Sequence, residues 1–142
     1  YEIVLNAQIQ AIASIIPGGD VNKPHEIACE IISRGLMKLG IMDDISNLRE
    51  FYMHGTGHWL GLDVHDVGAK EIDNSFRKFE VGMVTTVEPG IYIRKDDKID
   101  PKYWNIGIRI EDDVLVTIDG NHILSEAAIK NVDDIEHLMS QS

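Results

Sequence analysis

The densest chemistry in the sequence lies in His54-Gly55-Thr56-Gly57-His58-Trp59-Leu60-Gly61-Leu62-Asp63-Val64-His65-Asp66-Val67-Gly68. This run holds three of the six histidines, together with two aspartates and four glycines. Glycines at such density give up side-chain contacts and cost backbone entropy, so they mark a chain bent to a particular shape. Imidazoles and carboxylates beside such a backbone are the raw material of a metal or acid–base site. Two later segments add ionisable groups next to strand-like sequence. Glu88 follows Thr85-Thr86-Val87, and Glu111 stands two residues after Arg109. A buried carboxylate without a partner is costly, so each needs one if it faces inward. For Glu111 the partner is either a cation or, in a purely structural pair, the guanidinium of Arg109.

One imidazole with several carboxylates is a hard-to-borderline donor set. It favours Mn²⁺, Co²⁺, Fe²⁺ or Zn²⁺ over Cu(I) or a thiolate-bound structural zinc. Carboxylates that bridge two such ions acidify a shared water into a hydroxide nucleophile near neutral pH. Histidines that stand beside the ligands without coordinating can then hold a substrate carbonyl or the developing oxyanion.

The elements that must position these groups follow from periodicity. Leu5, Ile9, Ile12 and Ile16, with Val4, Ala7, Ala11 and Ile15 on an adjoining face, predict a helix from Tyr1 to Ile16 with a broad buried stripe. Pro17-Gly18-Gly19-Asp20 stops it. A second helix starts near Pro24 and buries Ala28, Ile31, Ile32, Gly35, Leu36 and Leu39, with Gly40 as its C-terminal cap. The two pack antiparallel, and His25, at the end less favourable for a cation, is read as a surface residue. Residues 43–50 form a helical turn. Glycines 55, 57 and 61 argue against a helix for the histidine stretch, although His54 and His58 have the spacing of two ligands on one turn. A loop entering a strand at Leu62 is expected instead. Strands follow over Met83–Val87, Ile91–Ile93, Asn105–Glu111 and Val114–Ile118, with His122–Leu124 pairing back after a turn at Asp119-Gly120. In Asn105–Glu111 the isoleucines 106, 108 and 110 point one way, and Gly107, Arg109 and Glu111 the other. A short helix over Asp133–Met139, capped by Asp133, closes the chain.

The bulk composition narrows the function classes. A chain of 142 residues, 44% hydrophobic and 26% charged, suits one domain with a real core. A net charge of −11 argues against nucleic acid or an anionic membrane as partner. No apolar run is long enough to span a bilayer, and no secretory leader is visible. The lone Cys29 precludes an internal disulfide and fits a reducing compartment, so a cytoplasmic location is expected, with Cys29 as a core thiol. The chain opens at Tyr1, not Met, and enters a helical pattern at once, which reads as a piece of a longer protein.

The histidine stretch, together with Val87-Glu88-Pro89-Gly90-Ile91-Tyr92 and Gly107-Ile108-Arg109-Ile110-Glu111-Asp112-Asp113, resembles the metallopeptidase family with the pita-bread fold. That family holds Xaa-Pro aminopeptidases, prolidases and methionine aminopeptidases. The likeness covers the whole chain and is nearest to the Xaa-Pro aminopeptidase (aminopeptidase P) branch, with His58-Trp59-Leu60-Gly61-Leu62-Asp63-Val64-His65-Asp66 as its most specific piece. It implies an α+β fold in which two leading helices precede a curved antiparallel sheet and a short terminal helix. Residues 1–142 would be the C-terminal half of the catalytic domain. The implied activity is a dinuclear metalloaminopeptidase that releases the N-terminal residue from peptides with proline second, by way of a metal-bridging hydroxide. Mn²⁺ is the expected ion, with Co²⁺, Zn²⁺ or Fe²⁺ as alternatives, and a homo-oligomer is the expected assembly.

The roles implied residue by residue are these. His58 is a terminal metal ligand, Glu88 a ligand and the general base, and Glu111 a bridging ligand. His65 contacts the substrate and stabilises the tetrahedral intermediate. His54 lines the proline-binding side, Arg109 supports Glu111, and Tyr92 borders the site. Asp63 and Asp66 stay structural. Two departures matter. The family draws two further aspartate ligands from an upstream hairpin that has no counterpart in residues 1–50, so the fragment alone should be inactive. Gly57 stands where many members carry serine. Two alternatives remain, a prolidase and a non-catalytic binding module. Intact His58, Glu88 and Glu111 weigh against the second.

Overall fold

A computed structural model describes residues 1–141. Helix α1 (Glu2–Ala13) is shorter than its periodicity suggests, because Ser14 caps it and the chain turns toward Pro17. Its buried face is Val4, Ala7, Ala11 and, just beyond, Ile15; Ile9 and Ile16 of the expected stripe are half exposed. Helix α2 (Lys23–Lys38) carries Pro24 in its first turn. It ends in a Schellman closure: Gly40, at φ +68°, donates to the Met37 carbonyl and Ile41 donates to that of Leu36, both at 3.0 Å. Gly35, late in α2, lies against Ile3, early in α1, where any side chain would collide. The helices therefore run antiparallel.

A 3₁₀ turn at Ile45–Asn47 leads into the single turn α3 (Leu48–Phe51). Strands β1 (Glu71–Ile72) and β2 (Ser75–Phe76) make a small hairpin that periodicity did not suggest. Its turn uses Asp73 and Asn74 at φ +52° and +60°, conformations these residue types tolerate. Strands β3 (Val84–Val87), β4 (Gly90–Ile93), β5 (Ile106–Arg109), β6 (Asp112–Thr117) and β7 (Gly120–Ile123) form the antiparallel sheet structure. Helix α4 (Val132–Ser140) closes the chain, capped by the Asn131 side chain at 2.9 Å from the Asp133 amide and not by Asp133 itself. Among the described residues no helix is long and apolar enough to cross a membrane.

The sheet pairing explains how the site is placed. β3 pairs with β6, β6 with β7, and β4 with β5. Val87 opposes Asp112 and Gly90 opposes Arg109. The same register therefore runs through both ladders, with Glu88 opposite Glu111 and Pro89 opposite Ile110. The two ladders are one long, bent antiparallel ribbon, interrupted where Pro89 has no N–H to give. Asp112-Asp113, expected between strands, begins β6 because the ribbon resumes there. α1 and α2 cover one face. Val4, Ala28, Ile32 and Leu36 pack over Ile91, Ile93 and Ile110, while Ala11, Ile12 and Ile15 pack over Val87, Val114 and Val116. Glu88 and Glu111 belong to the other face.

The stretch beyond Leu60 corrects an expectation. Residues 61–68 form no strand. After the bridge of Trp59 to Thr85 the chain leaves the sheet edge, and Leu62, Val64 and Val67 lie open to solvent. Alternating residue types make a strand only where a neighbouring edge can pair with them. The Asp66 carboxylate folds against Gly61 and accepts from the Val67 amide at 2.9 Å.

Candidate metal centre

Three side chains from three segments converge. His58, Glu88 and Glu111 each offer a ligand atom, and these atoms lie within 4.8 Å of one another. The His58 Nε2 is 3.5 Å from Glu88 Oε1. His58 is well prepared for this position. Its Nδ1 faces the Trp59 carbonyl at 3.0 Å, an acceptor only, so Nδ1 carries the hydrogen and the Nε2 lone pair points at the carboxylates.

The backbone of His58 is held on both sides. Its N–H donates to Thr86 Oγ1 at 3.0 Å, and its carbonyl accepts from the Thr86 amide and the Thr85 hydroxyl, each at 2.9 Å. Lys70 donates to the Gly57 carbonyl. Gly57 lies so close to the Thr86 carbonyl that a side chain there would collide. Burial pulls the Lys70 ammonium below its ordinary value, partly offset by Glu88. Lys70 went unremarked in the sequence, and Thr85 and Thr86 were noted only as strand residues with no part in the site. Two adjacent hydroxyls ahead of Glu88 were the only clue.

Arg109 corrects a second expectation. It does not pair with Glu111 but donates from Nε to the Tyr92 hydroxyl at 2.8 Å and reaches Glu88 Oε2 with NH1 at 3.5 Å. Register accounts for the geometry. Tyr92, Gly90 and Glu88 form one row on the open face, and Gly107, Arg109 and Glu111 the facing row. The glycine at 90 leaves room for the Tyr92 ring to lie along the sheet, since a side chain there would meet the Tyr92 hydroxyl. His54 completes the chain. Its Nδ1 donates to the Gly55 carbonyl at 2.8 Å, so in the neutral ring Nε2 accepts from Tyr92, 2.9 Å away. His65 sits on the exposed loop with its ring edge-on to that of His58, centroids 4.4 Å apart. His25 corrects a third expectation: it is half-buried behind the histidine stretch, 2.9 Å from Thr56 Oγ1, and not on the surface. Cys29, expected in the core, is half-buried and lies 3.5 Å from His25 Nε2.

Two carboxylates opposite one another on an antiparallel ribbon repel. Burial, and then the charge of Glu88, push Glu111 above its ordinary value of 4.5. A divalent cation removes that repulsion, and a nitrogen with two carboxylate oxygens suits Mn²⁺, Co²⁺, Fe²⁺ or Zn²⁺. The residues present therefore fit a metal.

The pH consequence has a definite sign. In the metal-free folded protein Glu111 holds its proton more tightly than in the unfolded chain. Its contribution to stability is complete below 4.5 and is lost as pH rises through the raised value. Metal uptake requires the opposite charge state and releases that proton. In the complete protein, titration calorimetry of Mn²⁺ in buffers of different ionisation heat should show more proton release, and weaker binding, as pH falls through the raised value. Uptake with no proton release at any pH in that window would show that the ion does not displace it.

Residues 1–118 match the metallopeptidase family M24. The chain belongs to that family. It is 48% identical to a Xaa-Pro aminopeptidase of Haemophilus influenzae over 99% of its own length and 34% of the relative's. The aminopeptidase PepP of Pseudomonas aeruginosa superposes with a TM-score of 0.94 at 44% identity, over 99% of this chain and 34% of that one. A zinc-substituted Escherichia coli aminopeptidase P in complex with product superposes at 0.90 with 43% identity, over 99% of this chain and 33% of that one. The expected α+β half of a pita-bread fold is thus the fold observed. The chain spans about a third of the length of these relatives.

Proposed function

We propose that the complete protein is a dinuclear metalloaminopeptidase that releases the N-terminal residue from peptides with proline in second position. The observation that carries this reading is the convergence of His58, Glu88 and Glu111 in a chain so similar to Xaa-Pro aminopeptidases. Bound divalent ions, with Mn²⁺ our choice and Co²⁺, Zn²⁺ or Fe²⁺ the alternatives, supply Lewis acidity and lower the pKa of water. His58, Glu88 and Glu111 are assigned as their ligands. Two further aspartates are assigned to a segment upstream of this chain, which makes residues 1–142 the C-terminal part of the catalytic domain.

Glu88 is the general base. One of its oxygens faces His58, while Arg109 steadies the other. It takes the proton of the attacking water and can return it to the leaving amine. His65, on the exposed loop beside His58, donates to the substrate carbonyl as negative charge develops. His54, Tyr92 and Arg109 are linked in series and form the wall against which the proline side of the substrate rests. A single unpaired cysteine supports a reducing, cytoplasmic setting, and the family resemblance a homo-oligomer.

The test compares peptides. With Mn²⁺, the complete protein should release the first residue from Xaa-Pro-Xaa tripeptides and longer chains. Cleavage confined to Xaa-Pro dipeptides would make it a prolidase, and no cleavage of either a binding module. The isolated 142-residue chain should show no turnover, because one flank of the two-ion site is absent; turnover would overturn the upstream-ligand assignment. His65→Ala should lower kcat by about 10²-fold or more while bound metal stays nearly constant. Loss of metal would instead make His65 a ligand.

A further inference from the structure

We propose that His25 is a positioning residue for the metal centre, acting through Thr56 on the segment that carries His58. The inference rests on the assignment of His58 and Glu88 as ligands. Thr56 has the only side chain in Gly55-Thr56-Gly57, and it is 3% exposed. Its carbonyl accepts from the Glu88 amide at 2.6 Å, so its backbone is tied directly to one ligand while His58 follows two residues later. Its hydroxyl lies 2.9 Å from His25 Nδ1 and 2.6 Å from the Tyr52 hydroxyl.

The Thr56 hydroxyl is thus bonded to both the Tyr52 hydroxyl and His25 Nδ1, and His25 Nε2 lies 3.5 Å from Cys29 Sγ. Burial holds His25 below its ordinary histidine value, the Lys70, His54 and Arg49 charges add to this, and Glu26 opposes it. The phenol of Tyr52 is likewise kept protonated by burial. His25 is itself fixed, since it stands in the first turn of α2 directly after Pro24.

An apolar pair at 25 and 56 would fill this space without desolvating three polar groups. What the polar pair adds is direction. A hydroxyl bonded on both sides sets its own χ1 and, with it, the position of the backbone at Thr56. Two flanking glycines give the loop no other side-chain anchor. His25 thus connects α2, an element of the core, to the backbone of both Glu88 and the His58 loop.

The experiment uses the complete, metal-free protein and measures Mn²⁺ affinity by calorimetry alongside turnover of an Xaa-Pro peptide. His25→Leu keeps bulk and removes the bond. It should weaken Mn²⁺ binding or kcat by about 10- to 100-fold, the range of outer ligand partners, with KM for peptide unchanged. His25→Asn, which offers an amide near the Nδ1 position, should recover most of the loss. Thr56→Val alone should reproduce the effect, and adding His25→Leu to it should cost nothing more. Mn²⁺ affinity and kcat both unchanged in Thr56→Val overturn the inference even if His25→Leu does not fold, and so do additive losses in the double variant. A wild type that takes up Mn²⁺ but cleaves no Xaa-Pro peptide sinks the activity reading alone, leaving the calorimetry to decide this inference. A wild type that takes up no Mn²⁺ overturns the metal assignment and the inference together.

Discussion

Replacing Glu88 by alanine in the complete protein is expected to abolish turnover, with kcat/KM down by at least about 10³-fold, and to lower bound metal. The size follows from how many functions meet at this carboxylate. Its side chain is 13% exposed, one oxygen faces His58 at 3.5 Å and the other faces Arg109 at the same distance. On the proposed assignment, removing it takes away a proton acceptor and a metal donor together. It also strips Arg109 of its carboxylate partner. Glu88→Gln separates these effects, because the amide keeps the shape and one oxygen but cannot accept the proton as a base. Rates for Glu88→Gln should fall about as far as for alanine, while metal content, read by elemental analysis, falls less. Near-normal turnover in either variant would show that the general-base assignment is wrong.

The second large effect is on stability. Asp112, the residue after Glu111, is 1% exposed and opens β6. Its Oδ1 accepts from the Ser125 hydroxyl at 2.6 Å and the Lys130 ammonium at 2.9 Å, and its Oδ2 accepts from the Gln8 amide. The carboxylate thus joins α1, β6 and the segment before α4. Lys130→Met keeps the apolar stem but leaves this charge buried with neutral donors only. The expected loss is about 3–5 kcal/mol, read as a lower urea midpoint with an unchanged slope. A loss under about 1 kcal/mol would mean that water enters and replaces the ammonium. Lys130→Arg, which restores the charge, should regain part of the difference.

Much of this molecule was legible in local residue patterns. The two helices, the Gly40 cap and the strands at Val84–Val87 and Ile106–Arg109 followed from periodicity and turn chemistry, while the selection of His58, Glu88 and Glu111 as ligands came from the family resemblance. Those signals work because they depend on a residue and its near neighbours. The misreadings concern partners distant in the chain. Residues 62–66 alternate like a strand, yet no edge is there to pair with them. His25 stands at the start of a helix, a place that reads as surface, and is half-buried only because the loop bearing Thr56 folds over it. Arg109 was matched to Glu111 by sequence distance. The shared register of the two ladders instead sets Arg109 against Gly90, beside Tyr92 and Glu88.

Composition and spacing by themselves determined the donor types available to a metal and the main helices and longer strands. The tertiary structure alone decided that Glu88 and Glu111 stand face to face. That opposition is a property of register between strands some twenty residues apart, and register is set by turns, by Pro89 and by which face packs on α1 and α2.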